Sequence, residues 1–319
     1  MTKRDEDGTP SAVLIAGPTA SGKSALALDL AQRFGGVVVD TDSMQIYAGL
    51  AILTARPSAA EEAQAPHRLY GHVDPARAFS VADWLADVEV VLAEIRAAGR
   101  LPIFVGGTGL YFEALVKGLA AVPEIPREVR AHWRGEAERI GAAGLFAELA
   151  RRDPAMAERL RPSDTQRLTR ALEVIEATGR SLADWQAAPH SMPLVEEGRA
   201  MRVVLEPERA ELHRRIARRF EAMVRQGAIE EAASFVARGL PPEMPAMRAI
   251  GVAALAEVAA GRIGLAAGIE RGIVETRQYA KRQSTWFRGR MGDWMRAGTV
   301  EAASDLMHTG SRAGDTAPG

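Results

Sequence analysis

The residue run with the clearest chemistry is Gly17–Ser24, with the sequence GPTASGKS. It matches the G-x-x-x-x-G-K-S phosphate-binding loop, and it stands between a short apolar run and a segment with the apolar spacing of a helix. Glycines let the backbone N–H groups of such a loop surround phosphate oxygens, and the helix N-terminus adds partial positive charge. The pattern predicts that Lys23 and the loop bind a diphosphate or polyphosphate, and that the Ser24 hydroxyl binds Mg²⁺. The predicted diphosphate- or nucleotide-binding residues are Gly17, Pro18, Thr19, Ala20, Ser21, Gly22, Lys23 and Ser24.

Two acids follow the next apolar run, Val37–Val39, at Asp40 and Asp42. In many nucleotide hydrolases an acid after a buried strand holds Mg²⁺ through water. In small-molecule kinases an acid at this point accepts a proton from the acceptor substrate, which favours Asp42 as a general base. The alternative for either carboxylate is a structural one, in which it caps the turn that follows the strand.

A third loop, Gly106–Tyr111 with the sequence GGTGLY, follows another apolar run. Its glycines permit close approach of the backbone. Thr108 offers a hydroxyl to whatever binds at the carboxyl ends of these apolar runs, so we expect it to belong to the same site as the phosphate-binding loop and Asp42.

Cations are unevenly distributed along a chain whose total charge is nearly balanced, with 40 basic and 41 acidic residues. Arginines concentrate at 127–130, 167–170 and 209–225. The segment 277–290 carries five cations and no acid, interleaved with Tyr279, Trp286 and Phe287. Such a run suits a phosphate backbone and unstacked bases, whereas the ordinary alternative is a solvated helix face.

Composition excludes several classes of protein. The 319 residues are 47% hydrophobic and 25% charged, which is typical of globular proteins, and there is no cysteine. Disulfides, a thiol nucleophile and a Cys-ligated metal are therefore excluded, and the six scattered histidines do not suggest a zinc site. No apolar run is long enough for a membrane span and the first residues do not resemble a signal peptide, so we expect a cytoplasmic protein without membrane contact.

The elements that must position these loops alternate between short apolar runs and amphipathic segments. This alternation predicts an α/β fold with a parallel sheet covered by helices on both faces, and functional loops at the carboxyl ends of its strands. The stretch 122–193 is rich in Arg and Glu and has no predicted strand, which indicates an inserted helical domain within a core formed by 1–121 and 194–319. Residues 1–11 and 299–319 contain few large apolar side chains, and we expect them to be flexible.

Five blocks together resemble the bacterial tRNA dimethylallyltransferases, also called tRNA isopentenyltransferases. In chain order they are Gly17–Ser24, Asp42–Tyr47, Gly106–Tyr111, Gln166–Arg170 and Arg282–Trp286. The resemblance extends from about residue 12 to 294. It implies a P-loop NTPase-like core and transfer of a dimethylallyl group from its diphosphate to the N6 amine of the adenosine immediately 3′ of the anticodon, with release of diphosphate.

The resemblance also implies roles for individual residues. Asp42 would accept the proton of the amine, Thr108 would lie beside the reacting groups, and Arg215 (or Arg214, if the alignment shifts by one) would hold the diphosphate. Mg²⁺, dimethylallyl diphosphate and the tRNA anticodon stem-loop are the implied cofactor and partners, with the insertion gripping the stem and the enzyme a monomer. At Val252 the family usually has tyrosine, so any contact of a tyrosine ring at this position is not expected here. The implied tRNA contacts are Asp42, Ser43, Met44, Gln45, Thr108, Arg130, Gln166, Arg167, Leu168, Thr169, Arg170, Met247, Arg248, Ala249, Ile250, Gly251, Val252, Lys281, Arg282, Gln283 and Trp286.

Three other functions use the same loops. A prenyltransferase could act on free AMP, ADP or ATP, a small-molecule kinase could hold ATP in the phosphate-binding loop, and a non-catalytic protein could bind nucleic acid. The arginine-bearing insertion favours a macromolecular acceptor, and the acid-free segment 277–290 is unexplained by a kinase. Whether ATP binds the loop is left open by the sequence.

Overall fold

The computed structural model describes residues 10–188 and 190–312. These form two compact units. The first unit comprises the described parts of Met1–Val116 and Leu194–Gly319, and the second unit is Lys117–Pro193, which begins slightly before the predicted 122. Residues 1–9 and 313–319, expected to be flexible, lie outside the described residues.

The first unit contains a six-stranded sheet in the order β3-β2-β4-β1-β5-β6. All of its strand pairings are parallel, which confirms the predicted α/β class. The two edge strands, β3 and β6, were not predicted, because two or three residues at an edge carry no continuous apolar run. The strands are β1 (Ala12–Ala16), β2 (Val37–Asp40), β3 (His67–Arg68), β4 (Pro102–Gly106), β5 (Ala200–Leu205) and β6 (Met295–Ala297).

Helices cover both faces of this sheet. Alternate side chains of the central strands enter two separate apolar layers, with Leu14 and Phe104 in one and Ile15 and Val105 in the other. The sequence pattern predicts a strand at 201–205, followed by helices at 209–226, 229–238, 252–259 and 269 to about 288. The observed bounds of β5 and of these four helices agree with the predicted ones to within a few residues. The helices of this unit are α1 (Lys23–Phe34), α2 (Ala59–Glu62), α3 (Val81–Ala97), α4 (Gly109–Lys117), α9 (Arg209–Arg225), α10 (Ala228–Val236), α11 (Val252–Ala259), α12 (Leu265–Arg290) and α13 (Val300–Arg312).

The expectation of a flexible segment from 299 onward was wrong for α13. Ala303 and Met307 lie buried in the apolar layer that also contains Leu26 and Leu30 of α1. The Ser304 hydroxyl of α13 also lies 3.4 Å from the Asp29 carboxylate of α1. Because 303 and 307 are one helical turn apart, both side chains lie on the same face of α13 and enter this layer.

The second unit is helical, as predicted. Its helices are α5 (Arg127–Arg152), α6 (Pro154–Ala157), α7 (Thr165–Thr178) and α8 (Leu182–Ala187). Helix α5 is interrupted at Gly141, where φ is 63°. The second unit has its own apolar core, which includes Trp133, Leu145, Leu149 and Leu172. In the described part of the whole chain, no helix is both long enough and apolar enough to cross a bilayer.

Candidate active site

The phosphate-binding loop connects β1 to α1 at the carboxyl edge of the sheet. Its tight course requires Gly17, because a Cβ there would lie 2.7 Å from the Ser21 hydroxyl and 2.8 Å from the Leu205 carbonyl. Gly22 has φ of 101° and precedes the first residue of α1. The loop therefore presents the N-terminus of a twelve-residue helix to any bound anion.

Lys23, the first residue of that helix, is half-buried and its ammonium group lies 3.4 Å from the Pro18 carbonyl. Burial lowers the pKa of Lys23 to about 8, although the nearby carboxylate of Asp42 opposes this shift. A bound anion would satisfy this cation. The Ser24 hydroxyl follows on the exposed side of the same turn.

Asp40 and Asp42 occupy different environments at the end of β2. Asp40 is fully buried, one of its carboxyl oxygens accepts the Asp42 N–H at 3.0 Å, and its other oxygen has no hydrogen-bond partner among the described residues. Burial and the proximity of Asp42 raise the pKa of Asp40 well above its usual value. Asp42 is only partly buried and one of its carboxyl oxygens accepts the Met44 N–H at 3.0 Å. Both acids thus support turns, and Asp42 also faces a cavity.

Thr108 follows β4 and meets the turn after β2. Its hydroxyl accepts the Ser43 N–H at 2.9 Å, and its own N–H donates to the Thr41 carbonyl at 3.2 Å. The phenol of Tyr279, from α12, also lies close to Thr108. Thr108 therefore fixes the segment that carries Asp42.

Gln283 of α12 joins two of the predicted loops. Its side-chain oxygen accepts the Thr19 N–H and its side-chain nitrogen donates to the Gly107 carbonyl, both at 2.9 Å. Only glycine fits at 107, because a Cβ there would lie 2.1 Å from the Gln283 nitrogen and 3.0 Å from Asp42 Oδ2. This bridging role was not predicted from the sequence, which suggested only a tRNA contact.

Helix α9 supplies arginines to the phosphate-binding loop. Arg215 donates to the Ser21 carbonyl at 3.3 Å and pairs with Glu211 at 2.7 Å, whereas Arg214 is exposed and pairs with Glu211 alone. Arg215, of the two candidates, thus lies at the loop. One turn further, Arg219 makes no hydrogen bond or ion pair with any described residue.

Arg219 was not among the site residues predicted from the sequence. It lines the same cavity as Lys23 and Asp42. Burial lowers its pKa, opposed by the carboxylates of Asp42 and Glu61. The spacing of four residues from Arg215, which places both on one helix face, was the available signal.

A cavity of about 230 Å³, here called the P-loop cavity, collects these groups. A second cavity of about 590 Å³, here called the adjoining cavity, shares Ser24, Ala55, Arg219 and Met223 with it. Polar side chains of the P-loop cavity include Thr19, Lys23, Ser24, Asp42, Ser43, Gln45, Arg219, Arg248, Tyr279 and Arg282. Apolar side chains include Met44, Leu53, Ile216, Phe220, Met223 and Ile250. The P-loop cavity is thus lined both by charged groups, including Lys23, Arg219 and Asp42, and by a wall of apolar side chains.

The implied tRNA contacts do not all converge on this cavity. Asp42, Ser43, Met44, Gln45, Arg248, Ala249, Ile250 and Arg282 line it. Val252 is buried in the core, and Trp286 packs so closely on Gly109 that a Cβ there would lie 2.0 Å from the indole nitrogen. Thr108, Met247, Gly251, Lys281 and Gln283 belong to the first unit without lining the cavity.

The remaining implied tRNA contacts lie in the second unit. Leu168 is fully buried in its core, so a contact through that side chain is excluded. The apolar face of α7 explains this, because Leu168, Ala171 and Leu172 lie on one side of the helix. Arg130, Gln166, Arg167, Thr169 and Arg170 are at least partly exposed.

The cationic segment of α12 is partly neutralised by acids from elsewhere in the chain. Arg288 pairs with Glu206 at 2.7 Å, and Arg290 lies 3.5 Å from Glu113. The absence of acids from the segment itself therefore does not leave these two arginines unpaired, although the sequence suggested five uncompensated cations. Lys281 and Arg282 remain exposed and have no ion pair among the described residues.

Comparison with known proteins identifies the family. A family model described as IPP transferase matches residues 45–290, and one described as isopentenyl transferase matches residues 10–76. A tRNA dimethylallyltransferase of Azorhizobium caulinodans is 55% identical over 96% of this chain and 98% of its own length. The corresponding protein of Agrobacterium fabrum is 53% identical over 89% of this chain and 96% of its own length.

Solved structures agree with the sequence comparisons. The full-length tRNA isopentenylpyrophosphate transferase of Bacillus halodurans is similar with a TM-score of 0.66 and 31% identity, over 96% of this chain and 98% of that one. A eukaryotic dimethylallyltransferase acting on tRNA is similar with a TM-score of 0.74 and 27% identity, over 88% of this chain and 70% of that one. On the match of the family model and the near full-length identity to curated members, the chain belongs to the tRNA dimethylallyltransferase family.

Proposed function

We propose that this chain transfers a dimethylallyl group from dimethylallyl diphosphate to the N6 amine of the adenosine immediately 3′ of the anticodon in tRNA. The observation that carries the proposal is the shared P-loop cavity, in which the phosphate-binding residues Lys23 and Ser24 face Asp42 beside an apolar wall. A donor that consists of a diphosphate and an apolar chain needs a phosphate-binding loop and an apolar wall, and an acceptor that loses a proton needs a base. The P-loop cavity brings these three features together.

The diphosphate is held by the N–H groups of the loop and by the cations around it. Lys23, Arg215 and Arg219 surround this point from two helices. When the bond between C1 of the donor and the diphosphate oxygen breaks, its electron pair stays on the oxygen and the negative charge there grows. Fixed cations in a partly buried site stabilise that charge as it develops.

The acceptor amine attacks C1 while its proton is removed. The bond between N6 and C1 forms, and the proton passes to the carboxylate of Asp42. Thr108 positions this carboxylate through the Ser43 N–H and the turn that follows β2. A general base held in this way contributes about 10²–10⁴-fold to the rate.

Mg²⁺ fits the residues present. Among the described residues no three His, Cys, Asp or Glu side chains are grouped as a protein-only metal site. Mg²⁺ usually takes few protein ligands and completes its shell with water and substrate phosphates. The Ser24 hydroxyl, which has no hydrogen bond to a described residue, would hold the ion, and the ion would neutralise diphosphate charge.

The adenosine must leave the stacked anticodon loop to reach the cavity. Arg248 and Arg282 line the cavity and have no ion pair with described residues, so they are available for RNA phosphates. The exposed arginines of the second unit are proposed to grip the anticodon stem.

The test is transfer of ¹⁴C from labelled dimethylallyl diphosphate, with Mg²⁺, to an anticodon stem-loop RNA. One RNA carries adenosine 3′ of the anticodon and a matched control carries guanosine there, with AMP and ATP as parallel acceptors. We expect label only in the adenosine RNA, recovered as the N6-modified nucleoside. Label in AMP or ATP, or loss of γ-phosphate from ATP without prenyl transfer, would replace the proposal by one of the alternatives.

A further inference from the structure

The direction of the donor chain in the cavity follows from the chemistry of displacement, and this inference rests on the proposed function. The attacking nitrogen, C1 and the leaving oxygen must be aligned and close together. The oxygen end of that line lies at Lys23 and Ser24, and the nitrogen end lies at Asp42. The carbons beyond C1 cannot lie on the line, so they must project sideways onto the wall of the cavity.

An apolar wall is available at that side. It consists of Leu53, Ile216, Phe220, Met223 and Ile250, all of which line the P-loop cavity. Burial of a five-carbon chain against such side chains is favourable, because it removes apolar surface from water. Discrimination between prenyl donors of different chain length also requires that the side chains of the wall cannot move aside for a longer chain.

Phe220 is held rigidly in this wall. Its side chain is buried and its ring rests on Gly272, where a Cβ would lie only 1.9 Å from the ring. A second contact of the ring is Gly251, where a Cβ would lie 3.1 Å from it. Two glycines from α12 and the start of α11 thus provide a seat that fixes the ring in place.

Leu53 is held by its backbone. The carboxylate of Glu231 accepts the N–H groups of Ala51, Ile52 and Leu53 at 2.7, 2.9 and 2.8 Å. The Leu53 side chain also converges on Gly251, where a Cβ would lie 3.0 Å from its Cδ2. Leu53 and Phe220 therefore both pack against Gly251, behind the wall, and each has little freedom to move.

The loop carrying Leu53 is fixed from its other end as well. The side-chain nitrogen of Gln45 donates to the carbonyls of Thr54 and Ala55 at 2.8 and 2.9 Å. Movement of Leu53 away from a longer substrate would break several of these hydrogen bonds. Well-packed interiors resist added carbons for this reason.

We propose that Phe220 and Leu53 form a rigid stop that limits the prenyl donor to five carbons. A geranyl chain has five more carbons than a dimethylallyl chain, and a cavity of about 230 Å³ must also admit the edge of the adenine. The stop excludes the longer chain by steric overlap, and not by weaker attraction.

The experiment compares dimethylallyl and geranyl diphosphate as donors to the same stem-loop RNA. The variants are Phe220→Leu and Leu53→Ala, each of which removes carbons from the stop. Matched controls are Phe235→Leu and Leu50→Ala, which remove the same atoms from buried positions lining neither cavity. We expect the ratio of kcat/KM for geranyl over dimethylallyl to rise at least tenfold in the two stop variants and to change less than twofold in the controls.

Equilibrium binding keeps the test independent of the chemistry. The Kd values of the unreactive dimethylallyl and geranyl thiolodiphosphates are measured for the same five proteins. Their ratio should shift in the same direction, even if the RNA tested is not the true acceptor. An unchanged ratio in both folded stop variants, or a wild-type protein that accepts both chains equally, would overturn the stop. Failure of the wild type to transfer either chain to RNA, with the binding ratios shifted as expected, would instead refute the proposed function.

Discussion

Two carboxyl groups at the end of β2 are separated by one residue and have different tasks because their environments differ. Asp40 is fully buried and its pKa is raised well above the usual value, since burial disfavours the charged form and Asp42 is a second carboxylate nearby. An uncharged Asp40 still accepts the Asp42 N–H. Asp42 is then the acid that faces the cavity, while Asp40 shapes the turn.

Asp40→Asn should stabilise the fold in a manner that depends on pH. The pKa of Asp40 in the folded chain lies above its unfolded value of 3.8. Below pH 3.8 Asp40 is protonated in both the folded and the unfolded chain. As the pH rises above 3.8, Asp40 ionises first in the unfolded chain. The free energy of unfolding therefore falls by about 1.4 kcal/mol for each pH unit until the pKa of Asp40 in the folded chain is reached. Asparagine keeps the acceptor oxygen and removes the titration. Urea unfolding should show the variant gaining stability over wild type as the pH rises above about 4, whereas a difference that is constant with pH would contradict this account.

Asp42→Asn should lower turnover about 100-fold or more while leaving the Kd for tRNA within about threefold of wild type. The amide retains an oxygen that can accept the Met44 N–H, so the turn is preserved, but it cannot accept a proton. Single-turnover transfer and filter binding measure the two quantities separately. A parallel loss of binding and rate would show that Asp42 holds the RNA and does not act as a base.

The pKa of Lys23 predicts that the donor binds less well at alkaline pH. Its pKa of about 8 means that the free enzyme loses this charge as pH rises through 8. If only the charged form binds the diphosphate, kcat/KM for the donor falls up to tenfold per pH unit above that point. Lys23→Arg, which stays charged, should abolish the fall even if its rate is lower. A pH profile that is the same in both proteins would assign the limit to another group.

At the scale of elements, the sequence was informative where a local pattern determines the structure. Continuous apolar runs identified β1, β2, β4 and β5, because strands buried on both faces need them. The edge strands β3 and β6 have no such pattern, and their pairing depends on neighbours distant in the chain. The same limit applies to the site. The phosphate-binding loop is a local motif, whereas the bridge made by Gln283 spans 264 residues to Thr19.

Gln283 shows how one helix couples two loops, and its loss should affect both. Gln283→Leu leaves the partly buried Thr19 N–H and the buried Gly107 carbonyl without their partner, and an unpaired buried group such as this carbonyl costs about 1–3 kcal/mol. We expect a loss of at least about 2 kcal/mol in the free energy of unfolding and a tenfold or larger fall in kcat/KM for the donor. Gln278→Leu, on the exposed part of the same helix, is the control. Equal behaviour of the two variants would show that α12 does not position the loops.

At the scale of the whole molecule, the two units have separate apolar cores. The backbone N–H groups of Leu194 and Val195 both donate to the Leu115 carbonyl, at 3.1 and 3.3 Å. The chain therefore leaves the first unit and returns to it at nearly the same point. The phosphate-binding loop, Asp42 and Thr108 all belong to the first unit. Chemistry and the proposed grip on the anticodon stem are thus assigned to different parts of the chain.

Replacing residues 118–192 by a short Gly-Ser linker tests this division. Because the flanking residues are already close, the linker should let the first unit fold with its donor site intact. We expect the Kd for dimethylallyl diphosphate to stay within about threefold of wild type, while tRNA affinity falls at least tenfold. The salt dependence of tRNA binding should also become shallower, because the arginines of the second unit no longer contact phosphates and each such contact contributes nearly one unit to the slope of log K against log salt. A deletion variant that binds donor normally and tRNA as tightly as wild type would leave the second unit without the proposed role, and RNA recognition would then depend on Arg248, Lys281 and Arg282 of the first.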